Sequence, residues 1–255
     1  MTANRRQTAF CTLMTGVVAA ILSFAVAPVC NAADLVTTSP VTQDRDRATY
    51  NWQKRHEEIL LLNKQIKPDV VFFGDSIIHY WGGEPKAPMA WGFQAWSNCF
   101  AGISVENLGF GWDRTENVLW RIGNGELDNI KPKVIIIKIG TNNIDLNTPE
   151  DIAAGIEAIC RAAHEKQPGA RILLLGILPR RDENAGLAKT GPVNKLLATR
   201  FRGTDYVTYR DFGAQFLNGA GAPNSALFSD GVHINANGYK LLGTQIRTEL
   251  TKLLK

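Results

Sequence analysis

The hydrophobic positions of the chain form short apolar runs that alternate with amphipathic segments. The apolar runs are rich in β-branched residues and predict buried strands, which are DVVFFGDS (69–76), VENLG (105–109), KVIIIKIG (133–140), ARILLLGIL (170–178) and an edge strand DYVTYRD (205–211). Apolar residues at helical spacing predict five helices, at about 48–67, 115–122, 148–169, 193–201 and 237–254. This alternation predicts a three-layer α/β/α sandwich around a mostly parallel sheet.

The first 33 residues have a different pattern. A basic pair precedes an uncharged, mostly apolar stretch at 9–29, and small residues follow it. This order is typical of a secretory signal peptide, although the stretch is also long enough to be an uncleaved membrane anchor. We expect a signal peptide at 1–33, a flexible leader at 34–47 and one globular domain at 48–255. The protein is then exported to the periplasm or the medium, with no stable membrane partner after cleavage.

Composition and charge exclude some classes of partner. The 255 residues include 28 basic and 24 acidic side chains, and removal of the signal peptide takes away Arg5 and Arg6. The remaining near balance gives no electrostatic reason to expect nucleic acid or an anionic membrane as a partner. Cys160 lies on the apolar face of a predicted helix, which favours a buried free thiol. Whether it pairs with Cys99 is left open by the sequence.

Polar or glycine-rich motifs follow the predicted strands: GDS at 74–76, GFGWDRT at 109–115 and GTNN at 140–143, with SDGVH at 229–233 before the last helix. Each is ordinary turn or cap chemistry when taken alone. The carboxyl ends of parallel strands, however, meet at one edge of the sheet. There a serine, a histidine and an aspartate meet amide donors, which is the set that acyl transfer needs.

Cofactor chemistry finds little support in these motifs. The turn Gly109-x-Gly111-x-x-Arg114 lacks the third glycine of a dinucleotide fingerprint, and the sequence contains no P-loop. The four histidines are scattered without the spacing of zinc ligands. We therefore expect neither a cofactor nor a metal.

Four blocks, FFGDSI, NLGFGWD, IGTNN and SDGVH, resemble those of the SGNH, or GDSL-type, esterases and lipases, and their spacing also fits. The stretches NVLWRIGNGELDNIKPKVIIIKIGTNN and LGILPR are most similar to bacterial relatives of the platelet-activating factor acetylhydrolase α-subunits. The resemblance covers about residues 67–254. It implies a flavodoxin-like sandwich, a carboxylic ester hydrolase and no cofactor.

The resemblance also implies roles for individual residues. Ser76 would be the nucleophile and give its backbone N–H to an oxyanion hole, with His233 as the base and Asp230 orienting it. Asn142 would give its side-chain amide. Many members donate a third N–H from a glycine just before the aspartate of the second block, and Trp112 stands at that position here. We expect the Trp112 N–H to serve, with the Gly111 N–H as the alternative.

Side chains next to these residues suggest the substrate. Ile77 follows the serine and Val232 precedes the histidine, and both are β-branched and stiff. If they border the acyl pocket, they leave room for little more than an acetyl group. The leaving group is expected near Trp112, the stretch His79-Tyr80-Trp81 and the loop with Arg180 and Arg181. For Tyr80 and Trp81, partial burial in the core is left open as the alternative.

The alcohol half of the ester is left open among three hypotheses. Aromatic faces suit sugar rings, and an exported protein meets acetylated polysaccharide, so hydrolysis of carbohydrate O-acetyl groups is the first. A lipid acetylhydrolase or short-chain lysophospholipase is the second. A non-catalytic carbohydrate-binding module on the same fold is a third, from a different class. The resemblance also leaves a homodimer open.

Overall fold

The computed structural model describes residues 36–181 and 186–255. The expected signal peptide lies outside these residues. Five parallel strands form one sheet in the order β2-β1-β3-β4-β5. They are β1 (Val70–Gly74), β2 (Val105–Gly109), β3 (Val134–Lys138), β4 (Arg171–Leu175) and β5 (Val207–Arg210). The predicted α/β sandwich with a parallel sheet is confirmed.

Seven α-helices accompany the strands in the described part of the chain. They are α1 (Trp52–Leu62), α2 (Ser76–His79), α3 (Phe93–Cys99), α4 (Thr115–Gly123), α5 (Pro149–Lys166), α6 (Gly186–Arg200) and α7 (Ala236–Leu253). The short helices α2 and α3 were not expected from the sequence. The N-cap of α4 is Arg114, and the hydroxyl of Thr115, the first residue of the helix, donates to the carbonyl of Thr37 at 2.9 Å. None of the helices in residues 36–181 and 186–255 has the length and hydropathy that a membrane crossing needs.

The two faces of the sheet carry two separate cores because successive strand residues point to opposite sides. Val71 and Phe73 of β1 pack in the core that contains residues of α1, α4, α5 and α6. Val70 and Phe72 pack in the other core, with residues of α2, α3 and α7. Cys160 is buried in the first core and Cys99 is half-buried, and both are free thiols.

The segment at 36–47 is docked on the domain, contrary to the flexible leader expected from its polar composition. Thr37 is fully buried and donates to the carbonyl of Asp151 at 2.8 Å. The Val41 N–H donates to the carbonyl of Glu116 at 3.2 Å. Gln43 is 9% exposed. These contacts tie the segment to α4 and α5, so the folded unit includes residues 36–47.

Gly109 ends β2 where the strand passes close to the backbone of α2. A Cβ at this position would lie 2.4 Å from the backbone N of His79 and 2.7 Å from the carbonyl carbon of Ile78. Backbone atoms cannot move aside as the end of a flexible side chain can. The glycine therefore allows the second strand-end turn to lie against the segment that carries Ser76.

We predict that Gly109→Ala lowers the free energy of unfolding by about 2–3 kcal/mol, because overpacking against backbone forces the strand and helix apart. Urea denaturation measures this change. Gly123→Ala is the matched control, since a Cβ at this end of α4 meets nothing within 4 Å. It should change stability by less than about 1 kcal/mol. Equal stabilities of the two variants would contradict this close approach.

Glu106 is a fully buried acid in β2. Neither of its carboxylate oxygens has a hydrogen-bond partner among the described residues. Burial, assisted by the nearby Glu126 carboxylate and opposed by Arg55, raises the pKa of Glu106 to about 8. The side chain is therefore protonated in the folded protein at neutral pH.

This protonation predicts a pH-dependent stability. The unfolded chain releases the Glu106 proton near pH 4.5, whereas the fold retains it until about pH 8. The stabilisation of the fold by protonated Glu106 is complete below pH 4.5. It falls by about 1.4 kcal/mol per pH unit above that value and is lost when the pH passes about 8. Glu106→Gln should remove this slope from unfolding free energies measured between pH 5 and 7.5. Parallel slopes for wild type and variant would mean that Glu106 is ionised in the fold.

Candidate active site

The turn after β1 is fixed by a buried ion pair. Asp75 caps α2 through its Oδ1, which accepts from the backbone N–H of Ile77 at 3.0 Å. The Nζ of Lys138, the last residue of β3, lies 3.1 Å from Asp75 Oδ2 and donates to the Thr141 hydroxyl at 2.8 Å. Burial lowers the pKa of Lys138, and the Asp75 carboxylate opposes this effect. The pair joins the ends of β1 and β3 and orients Ser76, the first residue of α2.

Ser76, His233 and Asp230 form one chain of hydrogen bonds. Ser76 Oγ lies 2.8 Å from His233 Nε2, and His233 Nδ1 lies 2.8 Å from Asp230 Oδ2. A histidine protonated on Nδ1 satisfies both contacts, since it donates to the carboxylate and accepts from the hydroxyl. The three residues that the sequence singled out are therefore adjacent, although 157 positions separate the serine from the histidine.

The Asp230 carboxylate is held by more than the histidine ring. Its Oδ1 accepts from the backbone N–H groups of Val232 and His233, each at 2.7 Å. Burial favours the neutral acid, but the hydrogen bonds from the two backbone groups and the imidazole outweigh it and lower the pKa of Asp230 below its usual value. An ionised Asp230 can stabilise a positive charge on His233 when a proton arrives from Ser76.

Three N–H donors belong to the turns that follow β1, β2 and β3. The backbone N–H groups of Ser76 and Trp112 have no acceptor within the described chain. Asn142 lies in the short 3-10 turn after β3, and its Nδ2 donates one hydrogen to the carbonyl of Asp113 at 2.9 Å. The second hydrogen of that amide remains for another acceptor. Ser76, Trp112 and Asn142 all line one cavity.

Gly111, the alternative third donor, is excluded because its N–H is already used. It donates to Nδ1 of the buried His79 at 3.0 Å. A histidine that accepts on Nδ1 is the neutral tautomer with its proton on Nε2. Burial, reinforced by Arg55 and Arg121, holds the pKa of His79 well below its usual value, in agreement with this state. The Gly111 N–H therefore points into the interior.

Trp112 adopts a left-handed backbone conformation, with φ at +62°. Side chains other than glycine reach this region at a cost of about 1–2 kcal/mol. Residues before α1 hold the turn in this conformation: the Gly111 carbonyl accepts from Gln43 Nε2 at 3.0 Å and from the Tyr50 hydroxyl at 2.8 Å. Arg45 Nη2 donates to the Trp112 carbonyl at 3.2 Å. The indole is 52% exposed.

The Asp113 carboxylate anchors the turn after β2 on the side that faces the interior. It is fully buried and accepts from Trp52 Nε1 at 2.7 Å, Gln43 Nε2 at 3.1 Å and Arg121 Nε at 2.8 Å. Burial raises the pKa of Asp113 to about 6, while Arg121 and the other donors oppose the rise. Arg121 also bonds to Glu126 and lies 4.0 Å from the centroid of the Phe110 ring.

The cavity at the strand ends has a volume of about 440 Å³. Of the five pocket residues expected from the sequence, Trp112, Arg180 and Val232 line it. Ile77 and Trp81 do not, since both are buried in the second core. The first turn of α2 directs Ile77 toward the sheet, and the Trp81 ring packs against Phe72, Trp96 and Tyr239.

Several lining residues were missed by the sequence analysis, namely Asp46, Thr49, Met89, Trp91, Arg114, Asp145 and Leu146. Most of them lie in loops, where no periodic pattern marks the side that a residue presents. Tyr80 was noted beside Trp81, but only the structure separates the two. Arg180 Nη1 bonds to Asp145 Oδ2 at 3.0 Å and to the Thr141 carbonyl at 3.2 Å, which fixes one side of the cavity. In residues 36–181 and 186–255, no cluster of His, Cys, Asp or Glu suits a metal.

The sequence is similar to those of known acylhydrolases. Residues 72–241 match the model of the GDSL-like Lipase/Acylhydrolase family. The platelet-activating factor acetylhydrolase IB subunit alpha2 of Rattus norvegicus is 35% identical over 205 residues, which cover 80% of this chain and 85% of that protein.

Solved structures support the same fold. A GDSL-like lipase from Bacteroides thetaiotaomicron superposes with a TM-score of 0.62 at 18% identity, covering 79% of this chain and 98% of that one. A carbohydrate acetylesterase from Sinorhizobium meliloti superposes with a TM-score of 0.56 at 18% identity, covering 73% and 100% of the two chains. At such identities the likeness concerns the fold alone.

The conformation of Trp112 is testable without an activity assay. Trp112→Gly and Trp112→Ala both remove the indole, but only glycine tolerates a positive φ without strain. We predict that the glycine variant is the more stable of the two by about 1 kcal/mol in urea denaturation. An alanine variant at least as stable as the glycine variant would show that the residue does not adopt the left-handed conformation.

Proposed function

The chain belongs to the GDSL-like lipase/acylhydrolase family and is a carboxylic ester hydrolase, and on this premise we propose that it removes acetyl groups from carbohydrate hydroxyls by means of Ser76. The observation that carries the proposal is the hydrogen-bonded chain Ser76–His233–Asp230, with 2.8 Å at each side-chain contact. It opens into a cavity that is also lined by Ser76, Trp112 and Asn142, the residues of the three proposed N–H donors.

The proposed reaction has two halves. Ser76 Oγ attacks the ester carbonyl carbon while its proton moves to His233 Nε2, and Asp230 stabilises the imidazolium. The carbonyl oxygen, now negative, accepts from the N–H groups of Ser76 and Trp112 and from the Asn142 amide. The alcohol leaves with the proton from His233. Water then attacks the acyl-enzyme by the same route and releases the acid and free Ser76.

Support for a short acyl group comes from two sources. Val232 lines the cavity directly beside His233, and its branched side chain is stiff. The relative at 35% identity is named an acetylhydrolase. Ile77, the second residue that was expected to limit the acyl pocket, is buried elsewhere. The limit on chain length is therefore assigned to the wall at Val232.

Support for a carbohydrate alcohol comes from the aromatic walls. Trp91 and Trp112 line the cavity and are 38% and 52% exposed, and exposed indole faces suit the apolar faces of sugar rings. The secretory pattern at 1–33 would bring the enzyme to extracellular polysaccharide. One of the structures with the same fold is named a carbohydrate acetylesterase.

A second candidate is an acetylated phospholipid or a short-chain lysophospholipid. The relative named platelet-activating factor acetylhydrolase favours it. So do the apolar side chains at the cavity, because Leu146 is 56% exposed beside Trp91 and Trp112. A panel of acetylated xylan fragments, acetylated monosaccharides and acetyl phospholipids, assayed with purified protein, separates the two candidates by kcat/KM.

The primary test of this function is the hydrolysis of p-nitrophenyl acetate by wild type and Ser76→Ala. We expect the variant to lose at least a thousandfold in kcat, because it has no nucleophile. Wild type should cleave the acetyl ester faster than the decanoyl ester. Equal rates for wild type and variant would favour a non-catalytic binding module, and faster decanoyl cleavage would refute the short acyl pocket.

Asn142→Ala tests the oxyanion hole separately from the nucleophile. We predict a loss of about 3 kcal/mol in transition-state stabilisation, or roughly a hundredfold in kcat, with KM changed much less. Asn98→Ala is the control, since this exposed asparagine of α3 does not line the cavity. Thermal midpoints of both variants check the fold. Full activity of Asn142→Ala would remove this residue from the mechanism.

A further inference from the structure

Asp46 is held in a fixed position in the wall of the catalytic cavity. Its Oδ2 accepts from the Tyr80 hydroxyl at 3.0 Å. Its backbone carbonyl accepts from the N–H groups of Thr49 and Tyr50 at 3.0 and 3.1 Å. A Cβ on Gly111 would lie 3.2 Å from Asp46 Oδ2 and 2.8 Å from the Tyr80 hydroxyl oxygen. The glycine therefore leaves the space that the Asp46–Tyr80 pair occupies.

The charge of Asp46 has no counterpart among the residues that the structure describes. Within the described part of the chain it forms no ion pair, whereas the other charged residues of the cavity do. Arg180 pairs with Asp145 at 3.0 Å, and Arg114 lies 3.9 Å from Glu116. A half-buried carboxylate without a cation favours the binding of a cationic ligand, because the opposite charges attract each other.

Aromatic rings connect this carboxylate to the reacting groups. The Tyr80 ring centroid lies 5.0 Å from that of Trp91 and 6.5 Å from that of His233. The Trp91 ring centroid lies 5.1 Å from that of His233. All of these side chains line the same cavity. Because aromatic faces attract cations, the rings and the carboxylate favour the same kind of ligand.

We propose that Asp46, Tyr80 and Trp91 form a subsite for a positively charged nitrogen of the leaving alcohol. The inference rests on the esterase function proposed above and narrows its substrates to esters of alcohols that carry an ammonium or quaternary ammonium group. A sugar with a free amine meets both this requirement and the carbohydrate hypothesis. The acyl group lies at Ser76, and the charged nitrogen lies on the side of Tyr80 and Asp46.

Two esters of the same shape test the subsite. Acetylcholine and 3,3-dimethylbutyl acetate differ only in a positive nitrogen in place of a carbon. At low ionic strength we expect wild type to have about tenfold higher kcat/KM for acetylcholine, and added salt should reduce this preference. Asp46→Asn keeps an acceptor for the Tyr80 hydroxyl and removes the charge. It should lower the ratio of the two kcat/KM values to about 1–2.

Asp44→Asn provides the matched control. Asp44 lies on the same segment and carries the same charge, but it pairs with Arg47 and does not line the catalytic cavity. Its removal should leave the preference for acetylcholine as in wild type. A similar fall in both variants would indicate a general field effect and would overturn the subsite.

The remaining outcomes separate the subsite from the esterase function. If wild type cleaves both esters equally, or if Asp46→Asn lowers both rates by the same factor, the subsite is wrong and Asp46 has a structural role. If Ser76→Ala retains wild-type hydrolysis of p-nitrophenyl acetate, the esterase mechanism itself is wrong. Binding of tetramethylammonium to Ser76→Ala, measured by tryptophan fluorescence, should weaken about tenfold when Asp46→Asn is added, and an unchanged affinity would also refute the subsite.

Discussion

Asp113 contacts four parts of the molecule, and the geometry of the catalytic cavity depends on this residue. Its oxygens bind Gln43 of the N-terminal segment, Trp52 of α1 and Arg121 of α4. Its backbone carbonyl accepts from the amide of Asn142, in the turn after β3. One residue therefore fixes the turn after β2, which exposes the Trp112 N–H, and orients one of the other proposed donors.

Burial of the Asp113 carboxylate costs desolvation free energy, which is offset only by a partner of opposite charge in good hydrogen-bonding geometry. Arg121 pairs with the carboxylates of both Asp113 and Glu126, and its guanidinium also lies over the Phe110 ring. Loss of one partner would leave an uncompensated charge in the interior, which is far more harmful than the pair is stabilising. The buried pair Asp75–Lys138 has the same character on the Ser76 side. Two rigid ionic contacts thus hold the strand ends whose polar groups face the substrate.

The sequence predicted the strands and long helices because their apolar runs and helical spacing reflect burial, and the resemblance to the GDSL-type family is confirmed. The proximity of Ser76 to the turns of Trp112 and Asn142 was predictable because strand ends gather at one edge of a sheet, whereas the partnership of His233 with Ser76 was implied by the family resemblance. Side-chain direction in the four-residue helix α2 was not predictable, since so short an element has no periodicity. Ile77 and Trp81 were therefore assigned to a pocket when they belong to the core.

Two further features required three-dimensional structure. The segment at 36–47 is polar and aperiodic, so its sequence resembles a leader, but single side chains such as Gln43 dock it on the domain. The left-handed φ of Trp112 is not expected for an aromatic residue and is set by the contacts around it. Asp46 belongs to the same docked segment, and no pattern in the sequence marks it as a residue of the cavity. Local propensity fails at these places because tertiary hydrogen bonds decide the conformation.

We propose that Ser76, Trp112 and Asn142 together bind the oxyanion formed on an acyl group at Ser76. A crystal structure of the enzyme phosphorylated on Ser76 by diethyl p-nitrophenyl phosphate would test this assignment, because the adduct imitates the tetrahedral intermediate. We predict one phosphoryl oxygen within about 3.1 Å of the backbone nitrogens of Ser76 and Trp112 and of Asn142 Nδ2. An adduct whose phosphoryl oxygen faces away from the Trp112 nitrogen, or attachment at a residue other than Ser76, would contradict it.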